Sequence, residues 1–277
     1  MTLRIFGRPL PISAAIGLII IAATVFLFIF GPSLAPFGQE DVVGAPFADP
    51  SAEHLLGLDQ NGRDMLSRLL YGARMSVGVS LTAVLISFAI GVPLGFLAAL
   101  NGGWPDMIGA RFVDVIMSIP VLISALVVLQ SLGSSLPVLI GTIALLDSTR
   151  VFRLSRIVAQ GIVVMEYAEV ARLRGEGLWW MLRREILPNA LPPLLAEFGM
   201  RFCFTFLFVA GLSYLGLGVQ PPFADWGGMV RDNQQGILYG LYAPLFPAGA
   251  IALVTIGVNL VVDWALAGRT MVQGENR

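Results

Sequence analysis

The stretch EYAEVARLRGEGLWWMLRREILPNALPP, residues 166–193, is an arginine-bearing polar island between long apolar runs. It holds Arg172, Arg174, Arg183 and Arg184. Arginine favours the cytoplasmic side of a membrane, so the island is expected to face the cell interior and to meet a soluble partner there. Residues 166–174 are good helix formers, and Gly175 and Gly177 release the chain. A second short helix is expected over 178–186, with Pro188 stopping it. Trp179, Trp180 and Met181 make that segment apolar for a loop, which suits a helix docked in a partner's groove or an interfacial aromatic anchor.

Outward from the island, 56% of residues are hydrophobic and 13% charged, and the mean hydropathy is +0.81. That balance defines an integral membrane protein. Apolar runs of the length a helix needs to cross the hydrocarbon core predict an all-α fold with six transmembrane helices, near 11–30, 76–100, 108–129, 136–158, 191–219 and 242–266. The first is preceded by Arg4 and Arg8 and reads as an uncleaved span. Arginine asymmetry places both termini in the cytoplasm and the loops 31–74 and 220–241 outside. The expected organisation is an N-terminal end and first helix over 1–31, an external loop over 32–75, a five-helix core over 76–267 with the island at 160–190, and a tail over 268–277.

All 17 basic residues are arginine. Without lysine the chain has no Walker A loop, so if ATP drives it, ATP and Mg sit on another polypeptide. Schiff-base chemistry is excluded by the same absence. One cysteine, Cys203, and one histidine, His54, build neither a thiolate or imidazole metal cage nor an internal disulfide, and Cys203 reads as a small apolar helix residue. Arginines clustered by membrane side, with a net charge of -1, give no nucleic-acid surface. No catalytic, cofactor-binding or metal-ligating residue is expected.

Within the island, Glu169, Val170, Ala171, Gly175, Leu187 and Pro188 resemble the EAA loop of bacterial ABC importer permeases, with Val170 in place of an alanine and Glu185 in place of an isoleucine. The blocks HLLGLDQNGRDMLSRLLYGAR (54–74), LPNALPP (187–193) and LSYLGLGVQPPFADWGGMV (212–230) extend the likeness. The chain is similar to the C-type permeases of the dipeptide, oligopeptide and nickel transport family. The resemblance implies a type I importer architecture in the bacterial inner membrane, a heterodimer with a homologous second permease, two ATP-binding subunits on the EAA loop and an extracytoplasmic substrate-binding protein. Peptide is the expected cargo, with nickel, glutathione or another small solute as alternatives.

Other residues have readings of their own. Asp59, Arg63 and Asp64 form turn chemistry before a helical start and, with Trp226, are candidate contacts for the binding protein; a calcium loop is disfavoured because a later Glu ligand is lacking. Gly211, Gly216 and Gly218 read as helix packing or as a seam between two permeases, and Gly91, Pro93 and Gly95 as close packing or a hinge. Ionisable residues in apolar runs need partners, and helical spacing suggests Asp114 with Arg111, Asp147 with Arg150 and Glu197 with Arg201. Asp147 lies deepest and is a candidate for touching a substrate amine. An ATP-independent secondary transporter is the rival class, but it requires paired midplane sites and an internal repeat that the sequence lacks.

Overall fold

Only a helix satisfies its own backbone within lipid, and the apolar runs fold accordingly. The computed structural model describes residues 4–5, 8–9 and 11–274, with side chains over 11–266. Apart from a short antiparallel pair, Arg4–Ile5 with Arg8–Pro9, the described residues form helices and loops. The helices are α1 (Ile12–Leu34), α2 (Met65–Asn101), α3 (Gly103–Met117), α4 (Val121–Leu132), α5 (Leu136–Val163), α6 (Glu166–Leu173), α7 (Leu178–Trp180), α8 (Leu187–Tyr214), α9 (Trp226–Asn233) and α10 (Leu245–Gly274). A π turn, Met181–Ile186, joins α7 to α8, and a 3-10 helix, Gln234–Tyr239, follows α9.

Among the described residues four helices are long and apolar enough to cross a membrane: Ile12–Leu34, Met65–Asn101, Leu178–Tyr214 and Leu245–Leu266. The bent pair α3 and α4 makes up to five. The expected straight span over 108–129 is broken by an 80° bend, because Pro120 lacks an N–H and pushes Ile119 out of helical geometry. The expected span over 136–158 folds as the 28-residue α5, but Asp147, Arg150, Arg153 and Arg156 make it more polar than the others. The second helix begins at Met65, ahead of its apolar run, since the Asp64 carboxylate caps it by accepting from Ser67 N at 2.7 Å. The fifth ends at Tyr214 rather than 219.

The chain forms two compact units. The first comprises Met1–Leu81, Ser134–Leu139 and Phe202–Arg277. Its core gathers Met65, Val77, Phe206, Trp226, Met229 and Val254. Here α1 lies against α10 so closely that a Cβ on Gly17 would stand 2.8 Å from the Gly257 carbonyl oxygen. The second unit comprises Thr82–Gly133 and Ile140–Arg201. In it α2 presses on α5: a Cβ on Gly91 would stand 2.7 Å from Ser148 O, and one on Gly95 2.7 Å from Phe152 O. These glycines, expected as packing or hinge positions, are packing positions in this structure.

Ion pairs fasten the second unit. Asp106 on α3 takes a two-pronged contact from Arg156 on α5, one prong at 2.6 Å, and Asp114 takes Arg153 at 2.7 Å. Asp114 thus pairs across helices rather than with Arg111 one turn away. An arginine side chain spans an interhelix gap as readily as a helical turn, and the antiparallel run of α3 and α5 brings the acid and base stripes together.

Candidate functional site: the exposed helical hairpin at residues 166–188

The island folds as helix, turn, helix. α6 has one buried face, Ala168 and Ala171, both fully buried among Phe96, Leu100, Ala159, Met181 and Ile186. Only small side chains let so short a helix sit this close, which is the physical content of alanine at 171. Its other face, Glu166, Glu169, Val170, Arg172 and Leu173, is exposed. Glu166 and Glu169 stand at the helix's N-terminal turn and Arg172 at its last, as the helix dipole favours.

Gly175 ends α6. Its φ of +79° is left-handed, its N–H donates to Arg172 O at 2.9 Å, and the Glu176 N–H donates to Ala171 O at 3.2 Å. This paired closure needs a residue free to adopt positive φ, so the glycine is a structural requirement of the turn. The second limb then starts at Leu178, with the Arg174 guanidinium 5.8 Å from the Trp180 ring centre holding the two limbs together. Leu173, at 82% exposed, and Trp179, at 72%, project from the hairpin with no apolar cover.

The second limb does not stop at Pro188, as the sequence suggested. It runs through the π turn into α8, carrying Pro188, Pro192 and Pro193 within one helix of 37 residues. Proline removes a donor and crowds the preceding turn. The wider π turn precedes the prolines, and Asn189 Nδ2 donates to Glu185 O at 2.7 Å, engaging a carbonyl in that turn. Leu187 is half-buried and Pro188 exposed.

Other expected site residues fall elsewhere. Asp59 is fully buried and accepts from Asn61 N at 2.8 Å, Arg63 N at 2.9 Å, Arg63 Nε at 2.9 Å and Arg68 Nη1 at 2.5 Å. Asp64 is 1% exposed, caps α2 and faces His54 Nδ1 at 3.0 Å. Trp226 is 3% exposed, with Nε1 donating to Leu69 O at 2.9 Å. Expected as partner contacts, these three are internal props: a carboxylate with several donors nearby, or an indole beside an apolar core, is more stable satisfied inside the protein. Arg68, which holds Asp59 from nine residues away, was not singled out in the sequence. Gly211 is exposed on α8, whereas Gly216 and Gly218 lie beyond its end. Gly216, at φ +88°, closes α8 with the same pair of bonds that Gly175 uses, Gly216 N to Ser213 O and Leu217 N to Leu212 O.

Asp147 on α5 is 8% exposed and 3.5 Å from Arg201 Nη1 on α8, and the Arg150 charge its spacing suggested acts on it as well. Glu197 meets Arg201 Nε at 2.7 Å, the pairing its spacing suggested. Among the described residues no group of three or more His, Cys, Asp and Glu side chains is placed to hold a metal ion.

Apolar helices with an exposed, apolar-tipped hairpin between them define a multi-span helical membrane protein. Residues 91–267 match the family described as the binding-protein-dependent transport system inner membrane component, and the chain belongs to it: it is an ABC transporter permease, a transport subunit. A dipeptide transport system permease protein of Alkalihalophilus pseudofirmus is 34% identical over 90% of this chain and 83% of its own length. A glutathione transport system permease protein of Pectobacterium atrosepticum is 35% identical over 77% of this chain and 71% of its own. The crystal structure of an amino acid ABC transporter with histidines superposes with a TM-score of 0.51 at 21% identity, covering 71% of this chain and 92% of that one, a likeness of fold.

Proposed function

We propose that this chain forms half of the pathway of an ATP-driven importer of di- or oligopeptides in the bacterial inner membrane. It pairs with a homologous second permease, receives cargo from an external binding protein, and takes its driving force from two ATP-binding subunits seated on residues 166–188. In this reading six helices cross the membrane, α5 among them, with both termini cytoplasmic. ATP and Mg belong to the partners, and the chain itself carries no catalytic group. Asp147, Gly211, Gly216 and Gly218 are its passage or seam candidates.

The observation that carries the coupling role is the exposed hairpin with its buried alanine face. Ala168 and Ala171 join it to α2 and α5, so a push on Glu169, Val170, Leu173 or Trp179 reaches packed helices as a rigid shift. Peptide cargo is supported by the relatives named for dipeptide and glutathione transport. The test is a tagged pull-down in mild detergent, comparing wild type with Glu169→Arg. A second permease and ATPases with wild type, and loss of the ATPases with Glu169→Arg, support the reading. A chain that elutes alone and transports without ATP overturns it in favour of a secondary carrier.

A further inference from the structure

The residues ahead of α10 are turned inside out for an aqueous loop. Leu238 is 83% exposed, Tyr239 75% and Tyr242 71%, with Ile237 and Leu245 also exposed. The hydrogen-bonding groups beside them are engaged on the protein: Asn233 Oδ1 accepts from Gln60 N at 3.0 Å, Asn233 Nδ2 donates to Met229 O at 2.8 Å, and Gln234 Oε1 accepts from Tyr214 OH at 2.9 Å. Gly236 is buried against the Phe47 ring. Gly240 closes the 3-10 helix, its N–H donating to Ile237 O at 3.0 Å and that of Leu241 to Gly236 O at 2.9 Å, which orders the backbone that carries the apolar side chains.

Residues 234–262 contain no charged residue, a run longer than the span that α10 needs. The surplus lies at its leading end, where the exposed tyrosines and leucine stand. Tyrosine, with an apolar ring and a polar tip, belongs at the boundary between hydrocarbon and headgroups. Residues 237–245 themselves carry no charged side chain, and a carboxylate, Asp49, stands at the edge of the segment beside Tyr242, as expected where an apolar face meets water.

We propose that residues 237–245 form an interfacial collar that lies in the headgroup and upper acyl region of the bilayer leaflet at the N-terminal end of α10. The lipid surface is its partner, and the collar sets the depth of α10 together with the loop segment 47–60 bound behind it. The collar rests on the membrane-permease reading.

The test uses the full chain assembled with its partner subunits in vesicles of phosphatidylethanolamine and phosphatidylglycerol. Cys203 is replaced by alanine and a nitroxide is placed at Leu238→Cys or Tyr239→Cys, with Ile19→Cys in α1 as the lipid reference and Glu53→Cys as the aqueous one. Relaxation by oxygen is compared with relaxation by a water-soluble nickel chelate. The collar predicts oxygen access exceeding nickel access at 238 and 239, with a depth between the two references. Readings equal to those at Glu53→Cys, or exclusion of both reagents because a second permease or the binding protein covers the site, overturn it. If Ile19→Cys itself reads as aqueous, the membrane placement of the chain fails rather than the collar alone.

Discussion

Arg201 Nη1 stands 3.5 Å from Asp147 Oδ1 while its Nε contacts Glu197 Oε1 at 2.7 Å, so one guanidinium on α8 answers two carboxylates, one of them on α5. All three side chains are at most 15% exposed. Removing the shared cation leaves two buried negative charges together, whereas removing either carboxylate leaves the other in place. Arg201→Met is therefore expected to destabilise the protein by about 3–5 kcal/mol. Asp147→Asn is expected to have a smaller effect, because the amide oxygen still accepts. Melting temperatures of the detergent-solubilised variants check the order; equal losses would show that Arg201 does not serve both.

Asp59 plays the same part in the loop before α2, where it holds Arg63 and Arg68 and two backbone amides. Asp59→Asn leaves the buried Arg68 without its counter-charge, at a cost of about 3–5 kcal/mol. The loop over 32–64 is then expected to be cut by protease at rates well above wild type while the membrane helices stay protected. Unchanged proteolysis would contradict this account of the loop.

Gly175 provides a graded test of the turn. Its φ of +79° strains any β-branched residue, while asparagine tolerates this region better. Gly175→Val is expected to lose about 1–3 kcal/mol locally and most of the coupled ATPase activity, and Gly175→Asn to keep most of both. Both variants are expected to insert normally. Equal activity in the two would mean that the left-handed closure is dispensable.

Burial pushes the Asp225 carboxyl up to about 6, against the lowering effect of the Gly228 amide and the Ser213 hydroxyl. Its folded value lies above the unfolded one, so the folded state binds the proton more tightly. The resulting stability is full below about pH 4 and is lost as pH rises through about 6, a change of up to about 3 kcal/mol. Asp225→Asn, which still caps α9, is expected to flatten this part of the stability profile. A slope of the same size in the variant would assign the effect to another group.

Much of this was legible in the sequence, because lipid leaves little choice. Hydrophobic length marked four of the six expected spans, and glycine chemistry marked the turn at Gly175. The bend at Pro120 was missed because the apolar run continues through it without a change in hydropathy. The continuation past Pro188 was missed because a π turn ahead of a proline leaves no compositional mark. Local spacing also misled for Asp114, whose partner Arg153 lies on another helix, and for Asp147 it showed Arg150 but not Arg201 on α8. Asp59, Asp64 and Trp226 read as surface contacts because sequence shows polarity and size but not which donors will surround a side chain.

ATP-driven peptide import is tested most directly by uptake of a labelled dipeptide into proteoliposomes holding the complete complex, with wild-type chain or Gly175→Pro. An ATP-driven importer accumulates the dipeptide against a gradient only with ATP and the ATPase subunits present, and not with Gly175→Pro although the chain is fully inserted. Accumulation without ATP, or normal uptake by Gly175→Pro, would contradict that mechanism.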